Sequence, residues 1–272
     1  MPTVARNGVF AASDGTSIAF THRPAPGPGA PRMALVHSLA LDRSVWDGVV
    51  QRLEDEAEVL TYDCRGHGRS DRHAGAYTAQ LFARDLAELF DHVGWQGAVV
   101  AGCSMGGNVA QAFAAMYPQR TTALGLVDTT AWYGADAPAK FKERADAAKA
   151  KSMSGLIDFQ LTRWFSDEFR ASHPDVLKRT TEIFVANDLD CYAASCSLLG
   201  HIDSRPDLGS LRMPVAIVVG EEDYATPIAM ARQLHAAIPQ STLTIIPRAR
   251  HLTPIEHPDQ IASELRGLLS RR

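Results

Sequence analysis

The chain has 272 residues, 46% of them hydrophobic and 21% charged, with a formal net charge of −4. That length suits one large α/β domain or two small ones, with a core that needs no staples. The mild negative charge offers no basic field for nucleic acid or an anionic membrane, and no apolar run approaches the ~20 residues of a membrane span. The four cysteines, Cys64, Cys103, Cys191 and Cys196, contain no Cys-x-x-Cys pair and read as reduced thiols rather than a disulfide framework. With no basic start followed by an apolar stretch, a cytoplasmic protein is expected.

Residues 9–12 and 17–21 flank Asp14-Gly15 and predict an opening hairpin. A Pro/Gly loop follows over 24–31. Residues 33–36 read as a short buried strand that stops at His37-Ser38-Leu39, residues 45–53 as a helix, and residues 58–63 as a strand running into Arg65-Gly66-His67-Gly68-Arg69-Ser70. Leu81, Leu86, Leu89 and Phe90 share one face of an amphipathic helix over 78–93. The apolar run 98–101 is a strand, and an alanine-rich helix starts a few residues later. Further strands are predicted at 122–127, 215–219 and 243–246, with helices at 228–237 and 259–269. Strand and helix alternate on both flanks, which predicts a mostly parallel, doubly wound sheet. Between about 131 and 208 the rhythm breaks: helical patterns at 141–150, 153–164, 174–187 and 191–199 carry no convincing strand. The expected organisation is an α/β core made of 1–130 and 209–272, with a helical cap over the active site from 131–208.

The segment Gly102-Cys103-Ser104-Met105-Gly106 sits where a strand turns into a helix. A serine at the apex of such a turn has its hydroxyl pushed clear of the backbone, above a helix N-terminus, and the flanking glycines let the chain double back. A serine hydroxyl is a poor nucleophile until a histidine takes its proton, and that histidine is held in one tautomer by a carboxylate. His251 follows the last strand and Asp223 follows the one before it, so both lie beyond strand C-termini, where open α/β sheets place their ligands. Glu222, beside Asp223, and Asp128, after the strand at 122–127, are the other candidate acids. Backbone N–H groups of Met105 and Leu39 are the expected oxyanion donors. His37 is expected to brace the oxyanion loop and His67 to bond its own loop. No His-Glu-x-x-His-type pair is present, and neither a metal nor any other cofactor is expected.

Taken together these residues resemble the α/β-hydrolase superfamily over nearly the whole chain, and most closely the 3-oxoadipate enol-lactonases. Residues 36–47, from Val36-His37-Ser38-Leu39 to Trp46-Asp47, resemble that family's Ser-Leu-Gly-Thr-Asp…Met-Trp-Asp segment, and 62–70 its Tyr-Asp-Thr-Arg-Gly-His-Gly-x-Ser. Residues 163–170 and 191–196 resemble its cap. The resemblance implies a serine hydrolase that opens a lactone, a small-molecule ester substrate, and a catalytic set of Ser104, Asp223 and His251. It also implies a pocket drawn from Ser38, Trp132, Tyr133, Trp164, Leu199 and His201. The family tends to carry an arginine after the Tyr-Ala-Ala segment, where this chain has Leu198-Leu199-Gly200-His201-Ile202-Asp203. A dicarboxylate would want such a fork. Arg43, Arg163, Arg205 and His201 are the remaining candidates, and the alternative is a more neutral lactone or ester in an apolar pocket. The same triad could serve a broad carboxylesterase, a C–C bond hydrolase or a cofactor-free perhydrolase, and the same fold a slow-turnover small-molecule receptor. The cap could also support a homodimer.

Overall fold

The computed structural model describes residues 5–270 apart from 26, which lies in the expected Pro/Gly loop, and 74. Eight strands form one sheet in the order β1-β2-β4-β3-β5-β6-β7-β8. The first two, β1 (Arg6–Ala11) and β2 (Ser17–Arg23), are the antiparallel hairpin. β2 runs antiparallel to β4 (Glu58–Tyr62), and from β3 (Arg32–Val36) onward every pairing is parallel. The central strand β5 (Ala98–Cys103) is buried along its whole length, as its run of small and β-branched apolar residues requires when helices cover both faces. β6 (Thr121–Val127) lies beside it.

Between β3 and β4 a 3-10 turn (Arg43–Trp46) leads into α1 (Asp47–Val50), not the continuous helix expected over 45–53. The Asp42 side chain accepts the Ser44 N–H and caps the tighter turn. α2 (Ala79–His92) begins where the Thr78 hydroxyl accepts the Leu81 N–H; it buries Phe82, Leu86, Leu89 and Phe90, with Leu81 half-buried at the rim. It packs on α3 (Met105–Met116), which starts at the end of β5.

From β6 to β7 (Val215–Gly220) the chain forms helices only: α4 (Ala137–Lys151), α5 (Ile157–Trp164), α6 (Asp167–Ser172), α7 (Pro174–Val185), α8 (Leu189–His201) and α9 (Arg205–Leu208). The ends of this insertion meet. Trp132 bridges Asp203, and the Ser204 N–H donates to the Ala131 carbonyl at 2.9 Å. The insertion rests on loops at the C-terminal ends of the core strands: Asn187 Nδ2 donates to the Ala40 carbonyl at 2.8 Å, and Arg250 Nη1 to the carbonyls of Thr162 and Phe165 at 2.8 and 3.0 Å. The chain then completes the sheet with α10 (Ile228–Ala237) and β8 (Ser241–Ile246), and ends in α11 (Thr253–Glu256) and α12 (Pro258–Leu269).

Candidate active site

Ser104 stands between β5 and α3 with φ 55° and ψ −117°, a conformation that side-chain-bearing residues rarely adopt. The turn is held from both sides. The Ser104 N–H donates to the Val127 carbonyl at 2.9 Å, and the Ser104 carbonyl accepts from the Gly107 N–H at 2.9 Å and the Thr129 hydroxyl at 2.8 Å. Two glycines make this packing possible. A Cβ on Gly102 would lie 2.0 Å from the Gly106 carbonyl oxygen, and one on Gly106 would lie 2.2 Å from that of Val36.

The Ser104 Oγ lies 2.9 Å from His251 Nε2, and His251 Nδ1 lies 2.8 Å from Asp223 Oδ2. All three side chains are buried. With Asp223 an obligate acceptor, Nδ1 carries the proton and Nε2 is free to accept from the serine. Asp223 also accepts the N–H groups of Ala225 and Thr226 at 2.6 and 2.9 Å and the Thr226 hydroxyl at 2.8 Å. Burial alone would raise its pKa, but the His251 imidazole and these bonds hold it below the usual carboxylate value. The other candidate acids are engaged elsewhere. Glu222 faces Arg250 at 3.5 Å. Asp128, fully buried, accepts the Gly220 N–H at 3.1 Å and the Thr253 N–H and hydroxyl at 3.0 and 2.7 Å, so it ties the loop before Asp223 to the loop after His251. Burial, then the nearby Asp223 charge, raises its pKa well above the ordinary range.

Leu39 and Ser38 follow β3 and face Ser104. Neither the Leu39 nor the Met105 N–H has a protein acceptor among the described residues. The loop is braced from below: His37 Nδ1 donates to the Ser38 carbonyl at 2.8 Å, and His37 Nε2 accepts the Cys64 N–H at 2.9 Å. Burial pushes the His37 pKa down to about 4, which suits the neutral tautomer this bond pattern needs. His67 bonds the Arg65 carbonyl of its own loop at 3.0 Å.

A chamber of only about 30 Å³ lies over Ser104 and His251, bordered by Ser38, Leu39, Tyr133, Trp164 and Leu199. Trp132 and His201, expected in the pocket, are not brought to it. Trp132 neighbours Tyr133, and adjacent residues of an extended segment point to opposite sides. Its ring stacks under the Arg205 guanidinium at 3.8 Å. His201 is two residues from Leu199 on α8, about 200° round the helix. It is exposed and bonds the Ser197 carbonyl. Two of the candidate arginines are likewise accounted for, since Arg43 pairs with Asp63 and Arg205 with Asp203.

Five pocket residues escaped the sequence reading: Phe141, Arg144 and Gln160 from the helical insertion, and Ala225 and Thr226 just after Asp223. Arg144 lies one turn after Phe141 on α4, and with Arg163 it brings a second guanidinium to the chamber. Neither is paired with a carboxylate among the described residues. Arg144 Nε donates to the Tyr192 hydroxyl at 2.7 Å. Burial, then the Arg144 charge, lowers the Arg163 pKa. Two half-buried cations side by side without a counter-ion make an anion-seeking site. Gln160 is 1% exposed, and its Oε1 has no partner. A signal for it existed: Gln160 occupies the buried stripe of α5 with Trp164, four residues on.

Ser104, Asp223 and His251 thus occur in that chain order after β5, β7 and β8 of a largely parallel sheet. A family model described as the alpha/beta hydrolase fold matches residues 31–258. The chain belongs to the α/β-hydrolase fold family. Among proteins of this fold it is similar to 3-oxoadipate enol-lactonase 2 of Acinetobacter baylyi, 28% identical over 89% of each chain. It is also similar to a pimeloyl-[acyl-carrier protein] methyl ester esterase of Aliivibrio salmonicida, 28% identical over 87% of this chain and 91% of that one. The crystal structure of the enol-lactonase from Burkholderia xenovorans LB400 superposes with a TM-score of 0.92 at 30% identity, covering 97% of this chain and 100% of that one. Among the described residues, no helix of this hydrolase is long and apolar enough to cross a membrane.

Proposed function

We propose that this α/β-hydrolase cleaves carboxylic esters, with a lactone as its natural substrate, through an acyl-enzyme on Ser104. The observation that carries this reading is the Ser104 Oγ–His251 Nε2–Asp223 Oδ2 chain at 2.9 and 2.8 Å. In that geometry His251 takes the serine proton as Oγ attacks the ester carbonyl carbon. The carbonyl π electrons move to oxygen, and the free N–H groups of Met105 and Leu39 face the resulting oxyanion. Collapse expels the alkoxide, which takes its proton from His251. In a lactone this alcohol stays attached to the acyl chain. A water deprotonated by His251 then attacks the acyl-enzyme, and the acid leaves as Ser104 regains its proton. Asp223 keeps the imidazolium oriented and stabilised throughout. Arg144 and Arg163 favour a substrate that carries its own carboxylate, and the enol-lactonase likeness favours a ring.

The test is steady-state hydrolysis of 3-oxoadipate enol-lactone, neutral lactones and short p-nitrophenyl esters by the parent protein and by Ser104→Ala. The expected result is turnover by the parent with a kcat roughly 10³- to 10⁶-fold lower in the variant. Quenched mass spectrometry should find the acyl adduct on Ser104. Near-parental turnover by Ser104→Ala overturns the mechanism, and indifference to every lactone overturns the ring preference.

A further inference from the structure

The chamber over Ser104 has room for about one or two waters, too little for a whole substrate. It continues outward into a second cavity of about 590 Å³, and the two share Tyr133, Phe141, Arg144, Gln160, Arg163 and Ala225. That volume lies within the range of sites that enclose drug-sized ligands. Its wall is unusual for a solvent-facing surface. Five large apolar side chains stand exposed among the described residues, and two of them, Phe159 and Tyr224, border this one cavity at 61% and 58% exposure. Each ring has a guanidinium near its face. The Arg163 guanidinium lies 5.6 Å from the Phe159 ring centre and that of Arg250 lies 5.1 Å from Tyr224. Leu156, Pro227 and Met230 complete an apolar wall, the exposed Lys140 and Glu143 bring one charge of each sign to its border, and the two carboxylate-free guanidiniums stand at the floor, between the outer space and the serine.

We propose that the outer cavity binds an aromatic or comparably bulky apolar group of the substrate. The preferred substrates are then anionic esters or lactones with the carboxylate at Arg144 and Arg163 and a ring-sized group between Phe159 and Tyr224. This rests on the hydrolase reading for its reaction but not for its binding. Water held against two exposed aromatic faces is displaced when a ring enters, and only a ligand that also brings negative charge satisfies the floor. A small dicarboxylate leaves this wall uncovered.

Binding is tested on Ser104→Ala, which holds ligand without turnover, by calorimetric titration with 2-naphthoate and with acetate. The naphthoate should bind at least tenfold tighter. Phe159→Ala and Tyr224→Ala, each added separately, should cut that preference about tenfold. Both side chains are largely exposed, so their removal should spare the fold. In the Ser104 parent, kcat/KM for 2-naphthyl hemisuccinate should exceed that for ethyl hemisuccinate, and the same substitutions should narrow that ratio about tenfold. Equal affinity for the two anions, or a preference that survives both aromatic truncations, overturns the proposal. A parent that hydrolyses neither ester refutes the hydrolase reading, while the titration still decides the binding site.

Discussion

Asp128 hydrogen-bonds neither Ser104 nor His251, yet its carboxylate joins the residue three before Asp223 to the residue two after His251. In Asp128→Asn only one side-chain oxygen remains. Turned toward Thr253 it keeps two donors, but its NH2 then opposes the Gly220 N–H. At least one buried donor therefore loses its acceptor, at a cost of about 1–3 kcal/mol. Part of that is returned, because the neutral amide feels neither the burial penalty nor the Asp223 repulsion that raise the Asp128 pKa. The expected net loss is about 1–2 kcal/mol at pH 8. The sign of its pH dependence follows from the raised pKa. The folded parent holds the Asp128 proton to higher pH than the unfolded chain, so the parent gains stability as pH falls through the folded-state pKa. The asparagine variant has no such group, and its deficit should be larger at pH 5 than at pH 8. Loosening both loops should also lower kcat about tenfold while KM changes little, since misplacement of the reacting groups is felt in the transition state. Urea-unfolding midpoints at the two pH values, with kinetics at 10 °C where the variant is folded, measure both effects. An unfolding free energy within 0.5 kcal/mol of the parent at both pH values, together with an unchanged kcat, would refute the tethering argument.

Gly106→Ala places a Cβ 2.2 Å from the Val36 carbonyl oxygen and 2.6 Å from that of His37. Because both are backbone atoms, the elbow must move away from the oxyanion loop, and kcat should fall at least ~10²-fold with the circular dichroism spectrum retained; a near-parental rate contradicts this. Arg163→Gln should lower the preference for a hemisuccinate over the matching neutral ester about tenfold, and relief from Arg144 should leave the melting temperature no lower than the parent's. Equal loss on both esters would count against an anion site. Burial pushes His67 down to about 3 and His37 to about 4. As pH falls below about 6.5 the unfolded chain binds protons at both positions that the folded protein refuses, and stability drops by about 1.4 kcal/mol per pH unit for each. His67→Gln should therefore lose less stability than the parent between pH 6.5 and 5 in urea titrations, and identical slopes would refute the assignment.

The three residues proposed to react could be picked out as a group because each sits where a strand ends, and strand ends are marked by a change from apolar runs to glycine and polar residues. Ser104 follows Ala98–Cys103, Asp223 follows Gly220, and His251 follows a turn after Ile246. The helix expected over 45–53 failed because the Asp42 cap favours a 3-10 turn there, a local bond that periodicity does not reveal. The pocket was harder to read. Phe141 and Arg144 belong to α4, a helix whose inner face is mostly alanine, so no apolar stripe marks which side faces the site. Trp132 and His201 entered the expected pocket with Tyr133 and Leu199 through the family resemblance, whereas a one- or two-residue offset sends a side chain to the far side of its segment.

The contact between Ala131–Trp132 and Asp203–Ser204 closes the helical insertion on itself like the neck of a bag. Two chain ends held that near each other could be joined by a short turn or by an unrelated segment without displacing a core strand. Ser104, Asp223 and His251 all lie outside the closed segment, whereas Arg144, Phe159, Gln160 and Arg163 all lie within it. A single recombination event at the neck would exchange Phe159, Gln160 and both guanidiniums, leave Tyr224, Pro227 and Met230 on the core, and keep Ser104, Asp223 and His251 in register. Selection can therefore alter what this protein recognises separately from how it reacts.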